Sequence, residues 1–314
     1  MIRATAPFRL AFLAALLPFA AQAPEATVPS LDPAPLSQVD LLSREIGFGI
    51  GHTAVTSRRD GFFLGGYAAG GRTAPDHAQE SEYDSRGLVL GWGFENGLSA
   101  FAGYAQGASF LDDNVHEARI RSYFLGTGYA GSSNGVSYGG ALFMSRTHNK
   151  LSSPASASGS TDHDGRTLGL SLRGETLLRE GAAPGTGIDL VVTGDVLRHA
   201  TGDYELVRKG GEVQSRVTYS TAFRAELGAP MRAVGGVLRP YAAYTVFGGD
   251  QDEMTYVTEA GSRSFDASEL LSEDQLSLGL DYGATDGRGL GGRLEAASNF
   301  AGDTALRLHL SFGF

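Results

Sequence analysis

The sequence predicts an all-β protein, a transmembrane antiparallel up-and-down β-barrel of about twelve strands, and three observations carry the prediction. Apolar residues alternate with polar or tiny ones in segments of about ten residues over nearly all of the chain beyond residue 60. The connections between segments are alternately short and long, as the turns and loops of an outer-membrane barrel are. The chain opens with the pattern of an export signal, and no later apolar run approaches the roughly 20 residues of a membrane-crossing helix.

The elements follow in chain order. Arg3 and Arg9 supply positive charge, residues 10–20 are apolar, and Ala21-Gln-Ala23 has the small-x-small pattern of a signal-peptidase site. Residues 1–23 are therefore expected to be a signal peptide cleaved after Ala23. Residues 24–35 are rich in Pro and Ala and read as an extended leader. Residues 37–45 suit two helical turns, and Ile46, Phe48 and Ile50 then alternate with Gly47, Gly49 and Gly51. Counting that alternation as a strand would make the total odd, which single-chain bacterial barrels avoid. Residues 24–60 are thus read as a leader followed by a segment inside the lumen or against the wall, and residues 61–314 as the barrel.

Strands are expected near 61–72, 85–95, 97–109, 119–131, 135–147, 165–178, 187–198, 213–228, 237–249, 273–284, 290–300 and 304–314. The last is the clearest: Leu306, Leu308, Leu310, Phe312 and Phe314 share one face, opposite Arg307, His309, Ser311 and Gly313. Residues 119–131 are the least clear, because Arg119 and Arg121 share a phase with Tyr123, Leu125 and Tyr129. A fourteen-stranded barrel is the rival, with an additional strand at residues 255–258. Short turns fall near 95–97, 131–135, 179–186, 229–236 and 284–289, and longer loops near 73–84, 110–118, 148–164, 199–212 and 250–272; the connection at 301–303 breaks the alternation. Closure would pair every backbone N–H and C=O within the bilayer and remove the sheet edges.

Composition is consistent with this class. The chain has 45 glycines, no cysteine and a formal net charge of −10, so disulfides cannot staple it and clustered cations for nucleic acid are not expected. On the inward phase lie Arg173, Glu175, Arg224, Glu226, Arg293, Glu295 and Arg307, candidate lumen charges that either pair with one another or set ion selectivity. Tyr67, Trp92, Phe94, Tyr104, Tyr219, Tyr241, Tyr282, Phe312 and Phe314 are expected in the aromatic girdles at the membrane interfaces.

Several segments together resemble a known family. Leu238-Arg-Pro-Tyr-Ala-Ala-Tyr, the acidic loop that follows it, and Gln275-Leu-Ser-Leu-Gly-Leu-Asp-Tyr-Gly look like the closing third of an autotransporter β-domain. Gly97-Leu-Ser-Ala-Phe-Ala-Gly-Tyr and Gly165-Arg-Thr-Leu-Gly-Leu-Ser-Leu are similar to its middle strands. The resemblance covers residues 61–314. It implies a twelve-stranded outer-membrane translocator whose lumen holds an N-terminal helical segment. It also implies recognition by the barrel assembly machinery through the aromatic ending, Phe312 and Phe314. The chain departs from the family between Ala23 and Asp60, a stretch too short for a β-helical passenger or a folded enzyme. The expectation is therefore a membrane anchor, translocator or surface structural protein of the cell outer membrane, without a sizeable passenger and monomeric, in contact with outer-membrane lipid and lipopolysaccharide. A porin-like channel for small polar solutes is the alternative.

Catalytic and metal sites find little support. His52, His77, His116, His148, His163, His199 and His309 show no local Ser-His-acid signature, so a loop-based hydrolase is the weakest reading and no enzyme is expected. Asp162-His163-Asp164, and Asp250 with Asp252 and Glu253, read as solvated loop acids, without the spacing of a calcium loop. The glycine runs at 65–71 and 289–292 are not followed by a Lys-Ser or Lys-Thr helix, which excludes a phosphate loop. No cofactor is expected.

Overall fold

A computed structural model of the chain describes residues 34–57, 60–73, 80–111, 116–153, 159–181, 186–206, 211–251, 253–265, 274–284, 289–299 and 302–314. The expected signal peptide with its cleavage site at Ala23, and most of the expected leader, lie outside these residues. One helix, α1 (Ala34–Thr56), precedes the strands. These are β1 (Gly61–Thr73), β2 (Ser81–Gly93), β3 (Leu98–Leu111), β4 (Glu117–Ser133), β5 (Val136–Ser153), β6 (Gly159–Glu180), β7 (Gly187–Thr201), β8 (Tyr204–Leu206), β9 (Gly211–Val213), β10 (Arg216–Gly228), β11 (Met231–Ala233), β12 (Gly236–Gln251), β13 (Met254–Thr258), β14 (Gly261–Phe265), β15 (Gln275–Ala284), β16 (Gly289–Ser298) and β17 (Thr304–Gly313).

Twelve of the strands form a closed antiparallel barrel: β1 to β7, then β10, β12, β15, β16 and β17. Closure is made by β1 and β17, with Phe63 opposite Gly313 and Arg72 opposite Thr304. The outward phase is apolar, with Leu125, Met144, Leu172, Leu278 and Leu306 among its most exposed side chains. That is the face a strand presents to lipid. At the turn ends the geometry is tight: Asn134 and Gly135 both have positive φ (51° and 76°). Such a two-residue primed turn matches the strand twist.

The ambiguous fourth strand resolves with Arg119, Arg121, Tyr123, Leu125 and Tyr129 outward, and Ala118, Ile120 and Phe124 inward. The anticipated loop at 148–164 is largely strand, because β5 and β6 run on well beyond the apolar band. Thr255 to Thr258 are indeed extended, within β13, but they do not join the barrel. They belong to a separate four-stranded sheet in the order β14-β13-β9-β8. Tyr204, Leu206, Val213, Met254 and Tyr256 of this sheet and its flanks share one apolar cluster with Val39 and Leu42 of α1. The barrel is therefore twelve-stranded, and the external connections fold onto the end of the helix.

The expected girdle needs two corrections. Tyr67 and Tyr241 are each 5% exposed and face the lumen. Each shares the inward phase of its strand, Tyr67 with Phe63 and Tyr241 with Arg239. Trp92, Phe94, Tyr219 and Phe314 are exposed, as a girdle requires.

α1 continues through the segment whose Ile/Gly alternation reads as strand-like. In a lumen shielded from solvent, a helix satisfies its own backbone polar groups, whereas a lone strand would leave one edge unpaired. The glycines are explained by close approach instead. A Cβ at Gly49 would lie 2.4 Å from the Tyr67 ring, one at Gly51 1.9 Å from Ser171 Oγ, and one at Gly47 2.6 Å from Leu197 Cδ1. Val39, Leu42, Ile46 and Ile50, spaced by three and four residues, are all at most 2% exposed.

Candidate functional site in the lumen

The inner wall carries two kinds of surface. On β1 to β5 the inward residues Phe63, Val89, Phe101, Phe124 and Phe143 form an apolar cluster with α1. On β7, β10, β12, β15, β16 and β17 the inward phase is charged.

At the centre of the charged half are two buried glutamates. Glu226 on β10, fully buried, accepts from Arg293 at 2.5 Å, Arg224 at 2.7 Å and Arg239 at 3.1 Å. Glu295 on β16 accepts from Arg224 at 2.5 Å, Arg307 at 3.1 Å, Arg293 at 3.2 Å and the Tyr241 hydroxyl at 2.8 Å. Arg239 reaches on to Asp189 at 2.8 Å and Asp281 at 3.0 Å. The Tyr241 ring lies under Arg293, whose guanidinium carbon is 4.2 Å from the ring centroid.

Four guanidiniums (Arg224, Arg239, Arg293, Arg307) thus meet four carboxylates (Asp189, Glu226, Asp281, Glu295), so this part of the network is neutral within itself. Forked, charge-assisted hydrogen bonds suit arginine, and removal of any one partner would strand buried charge.

Of the seven lumen charges picked out by phase, the structure brings Arg224, Glu226, Arg293, Glu295 and Arg307 together. Arg173 and Glu175 pair with each other on β6 at 3.0 Å, and the Glu175 side chain is 43% exposed, while Arg173 lines a pocket with Asp281 and Arg293 of the network. Asp189, Arg239 and Asp281 are not among the seven, and Tyr241 reads from the sequence as a girdle residue. Strand phase was the available signal, since Asp281 alternates with Leu280 and Tyr282, and Arg239 shares its phase with Tyr241.

α1 packs on the apolar half and is fastened by polar contacts to the charged half. Asp40 pairs with Arg216, Ser43 lies 3.2 Å from His199, Glu45 faces Arg307 at 3.7 Å, and Thr53 lies 3.2 Å from His309. The direction of the helix follows from these contacts. Arg216 stands at the loop end of β10, opposite Thr201. Ser57, just past α1, approaches Gly65 of β1 and lines a pocket with Gly291, Gly292 and Ser311 near the turn end. The amino end of α1 therefore points to the long-loop side. A cavity of about 80 Å³ beside the helix, lined in part by Phe48, His52, Asp195 and Arg293, has room for a few waters.

The histidines do not converge. His52 and His309 lie in the lumen with rings 4.4 Å apart, His199 contacts Thr167 at 2.8 Å, His163 stacks on Tyr204 at 4.0 Å, and His148 meets Asp164 on the outer surface at 3.1 Å. His77 and Asp252 lie outside the described residues. Asp162 and Asp164 project outward from β6 while His163 projects inward, so this triplet cannot share a ligand. Among the described residues, no group of three or more His, Asp or Glu side chains is placed to hold a metal ion. At the carboxyl end, Phe312 and Phe314 pack edge-on with centroids 4.7 Å apart, and the Phe314 N–H donates to the Phe62 carbonyl.

The translocator domain of the autotransporter NalP from Neisseria meningitidis superposes with a TM-score of 0.61 at 15% identity, over 92% of this chain and 100% of that one. The fold is that of an autotransporter translocator barrel. The transport unit of AIDA-I from Escherichia coli gives 0.60 at 12% identity, over 91% and 100%. The β-domain of BrkA from Bordetella gives 0.55 at 14%, over 81% and 100%. No family model matches the sequence, and no curated protein does. The chain is a closed twelve-stranded β-barrel with the architecture of these translocator domains.

Proposed function

We propose that this chain is a translocator-type outer-membrane anchor, which holds the segment preceding α1 at the cell surface while α1 closes the lumen. The observation that carries the reading is the direction of the helix. Its amino end lies at the loop side beside Arg216, and its carboxyl end leads at the turn side into β1. Long connections face the exterior and short turns the periplasm, so whatever precedes Ala34 is directed outward. The burial of residues 38–46 at no more than 6% exposure supports a closed lumen. The exposed Phe314 side chain supports presentation of the last strand to the assembly machinery.

Two measurements test the reading. The mature protein, refolded in a planar bilayer, should be nearly silent and should pass large current steps after deletion of residues 34–57. An epitope placed at residue 30 should be cleaved by protease added to intact cells. Large steps from the intact chain would replace this reading with a porin-like channel. Protection of the epitope would reverse the assigned direction of the helix.

A further inference from the structure

The outward face holds a second ordered set of charges, which the lumen does not explain. On β2, β4, β5, β6 and β7, the outward position just beyond the apolar band on the loop side is an arginine. Arg86 follows Leu88, Arg121 follows Tyr123, Arg146 follows Met144, Arg166 follows Leu168 and Arg198 follows Val196, each two residues toward the loops and each exposed. On β3 the corresponding residue is Gln106, in register with both Arg86 and Arg121. Arg119, one outward step beyond Arg121, and Lys150, two beyond Arg146 with His148 between, stand opposite each other.

The other wall has nothing comparable. The corresponding positions on β10, β12, β15, β16 and β17 are Val217, Gly248, Asp274, Ser298 and Thr304. On β1, Arg72 pairs with Glu80. In a chain of net charge −10, one flank of the barrel thus carries a row of outward arginines, with the acids Glu82, Asp84, Glu117, Asp162 and Asp164 standing beyond it toward the loops.

Two features make this more than scattered surface charge. Arg146 and Arg166 are direct cross-strand partners. Like charges placed opposite each other destabilise a sheet unless an anion lies between them. Arg146 has Asp164 at 2.6 Å, whereas Arg121, Arg166 and Arg198 have no ion-pair partner among the described residues. The belt also borders the apolar band on the long-loop side, the level at which outer-leaflet headgroups would meet a barrel with its long loops outside. Guanidinium binds phosphate in forked geometry, and its stem packs along the apolar surface below.

We propose that the arginine belt on β2 to β7 is a binding surface for the phosphate groups of an outer-leaflet phosphoglycolipid, held against one flank of the barrel. The belt binds phosphate where it is anchored by acyl chains lying on Leu88, Met144 and Leu168. This assignment depends on the barrel and its membrane orientation, and not on whether the lumen is open.

The test uses the mature protein refolded in detergent micelles, with bisphosphorylated lipid A added and bound lipid counted by native mass spectrometry. The variant Arg121→Gln/Arg166→Gln/Arg198→Gln should bind it about 100-fold more weakly, at roughly fivefold per arginine near an anionic surface. Lipid A stripped of both phosphates should bind wild type as weakly as the bisphosphorylated lipid binds the variant. Equal retention by variant and wild type, or equal binding of the dephosphorylated lipid, would overturn the proposal. Displacement by inorganic phosphate at an equal concentration would also overturn it, because the site would then hold free phosphate. Arg166→Gln alone relieves the clash with Arg146, so it should keep the heat-modifiable mobility of the folded barrel and still show the fivefold loss.

Discussion

The two halves of the inner wall solve the same problem differently. Along β1 to β5 the wall is apolar and is completed by a separate element, α1, whose Leu42 and Ile46 are at most 2% exposed. From β7 round to β17 the wall is charged and pairs chiefly within itself, four arginines against four carboxylates drawn from six strands, with α1 adding Asp40 and Glu45 at Arg216 and Arg307. A wall completed by a helix can be opened by moving one element. One completed by its own charges cannot be opened without breaking the barrel. Deletion of residues 34–57 should therefore have the largest effect on conductance, while a heat-modifiable electrophoretic shift shows the barrel still folded. Loss of that shift would mean the apolar wall cannot stand without its helix.

The next effects separate the walls by stability. Glu226→Gln leaves Arg224, Arg239 and Arg293 around a neutral amide in a fully buried position. Removing one member of a buried ionic cluster typically costs ~3–5 kcal/mol. Urea unfolding in phospholipid vesicles should show that loss with the bilayer still electrically quiet. A loss below about 1 kcal/mol would mean that water or neighbouring acids compensate, and the wall is not self-completing. Leu42→Ala empties a site beside Gly107 of β3 and should cost ~2–5 kcal/mol, the lower part of that range if the helix settles into the space. Its signature differs: flickering conductance should accompany the lost stability. A silent bilayer would show that the polar contacts of Asp40, Ser43 and Thr53 hold the helix alone.

The same contrast explains what could be read from the sequence. Strand positions were legible because lipid imposes an apolar phase on every strand, whatever faces inward. Inner faces were harder. Where α1 packs, the inward residues are also apolar, so Phe63, Phe101 and Phe143 blur the alternation, and Tyr67 looks like a girdle residue. The Ile46 to Gly51 alternation imitates a strand because its glycines answer to Tyr67, Ser171 and Leu197, side chains far away in sequence. The charged half was readable by phase as to which residues face inward, but not as to their partners. Arg224 and Glu295 are 71 residues apart and meet only because the barrel closes. The external sheet was legible only at residues 255–258, within β13, because β8 and β9 have three residues each and β14 five, too few for a period to register.

The external sheet gives the smallest effect and tests whether the cap belongs to the helix wall. His163 projects from β6 onto Tyr204, their rings 4.0 Å apart and nearly parallel. Burial, with Arg216 and His148 nearby, lowers its pKa to about 4, whereas an exposed histidine titrates near 6.5. Between those values the opened form binds the extra proton. Stability of this contact is therefore intact above about pH 6.5, falls as the pH drops toward 4, and levels off below. After allowance for screening at the solvent side, the loss should be on the order of 1–2 kcal/mol. Hydrogen exchange at pH 7 and pH 5 should show faster opening of β8, β9 and β13 at the lower pH, with the barrel strands unchanged. His163→Phe keeps a ring against Tyr204 and should abolish the difference. If acid instead loosens α1 together with the sheet, cap and helix open as one unit through the cluster of Val39, Leu42, Met254 and Tyr256. The movable half of the lumen would then extend outward into the loops.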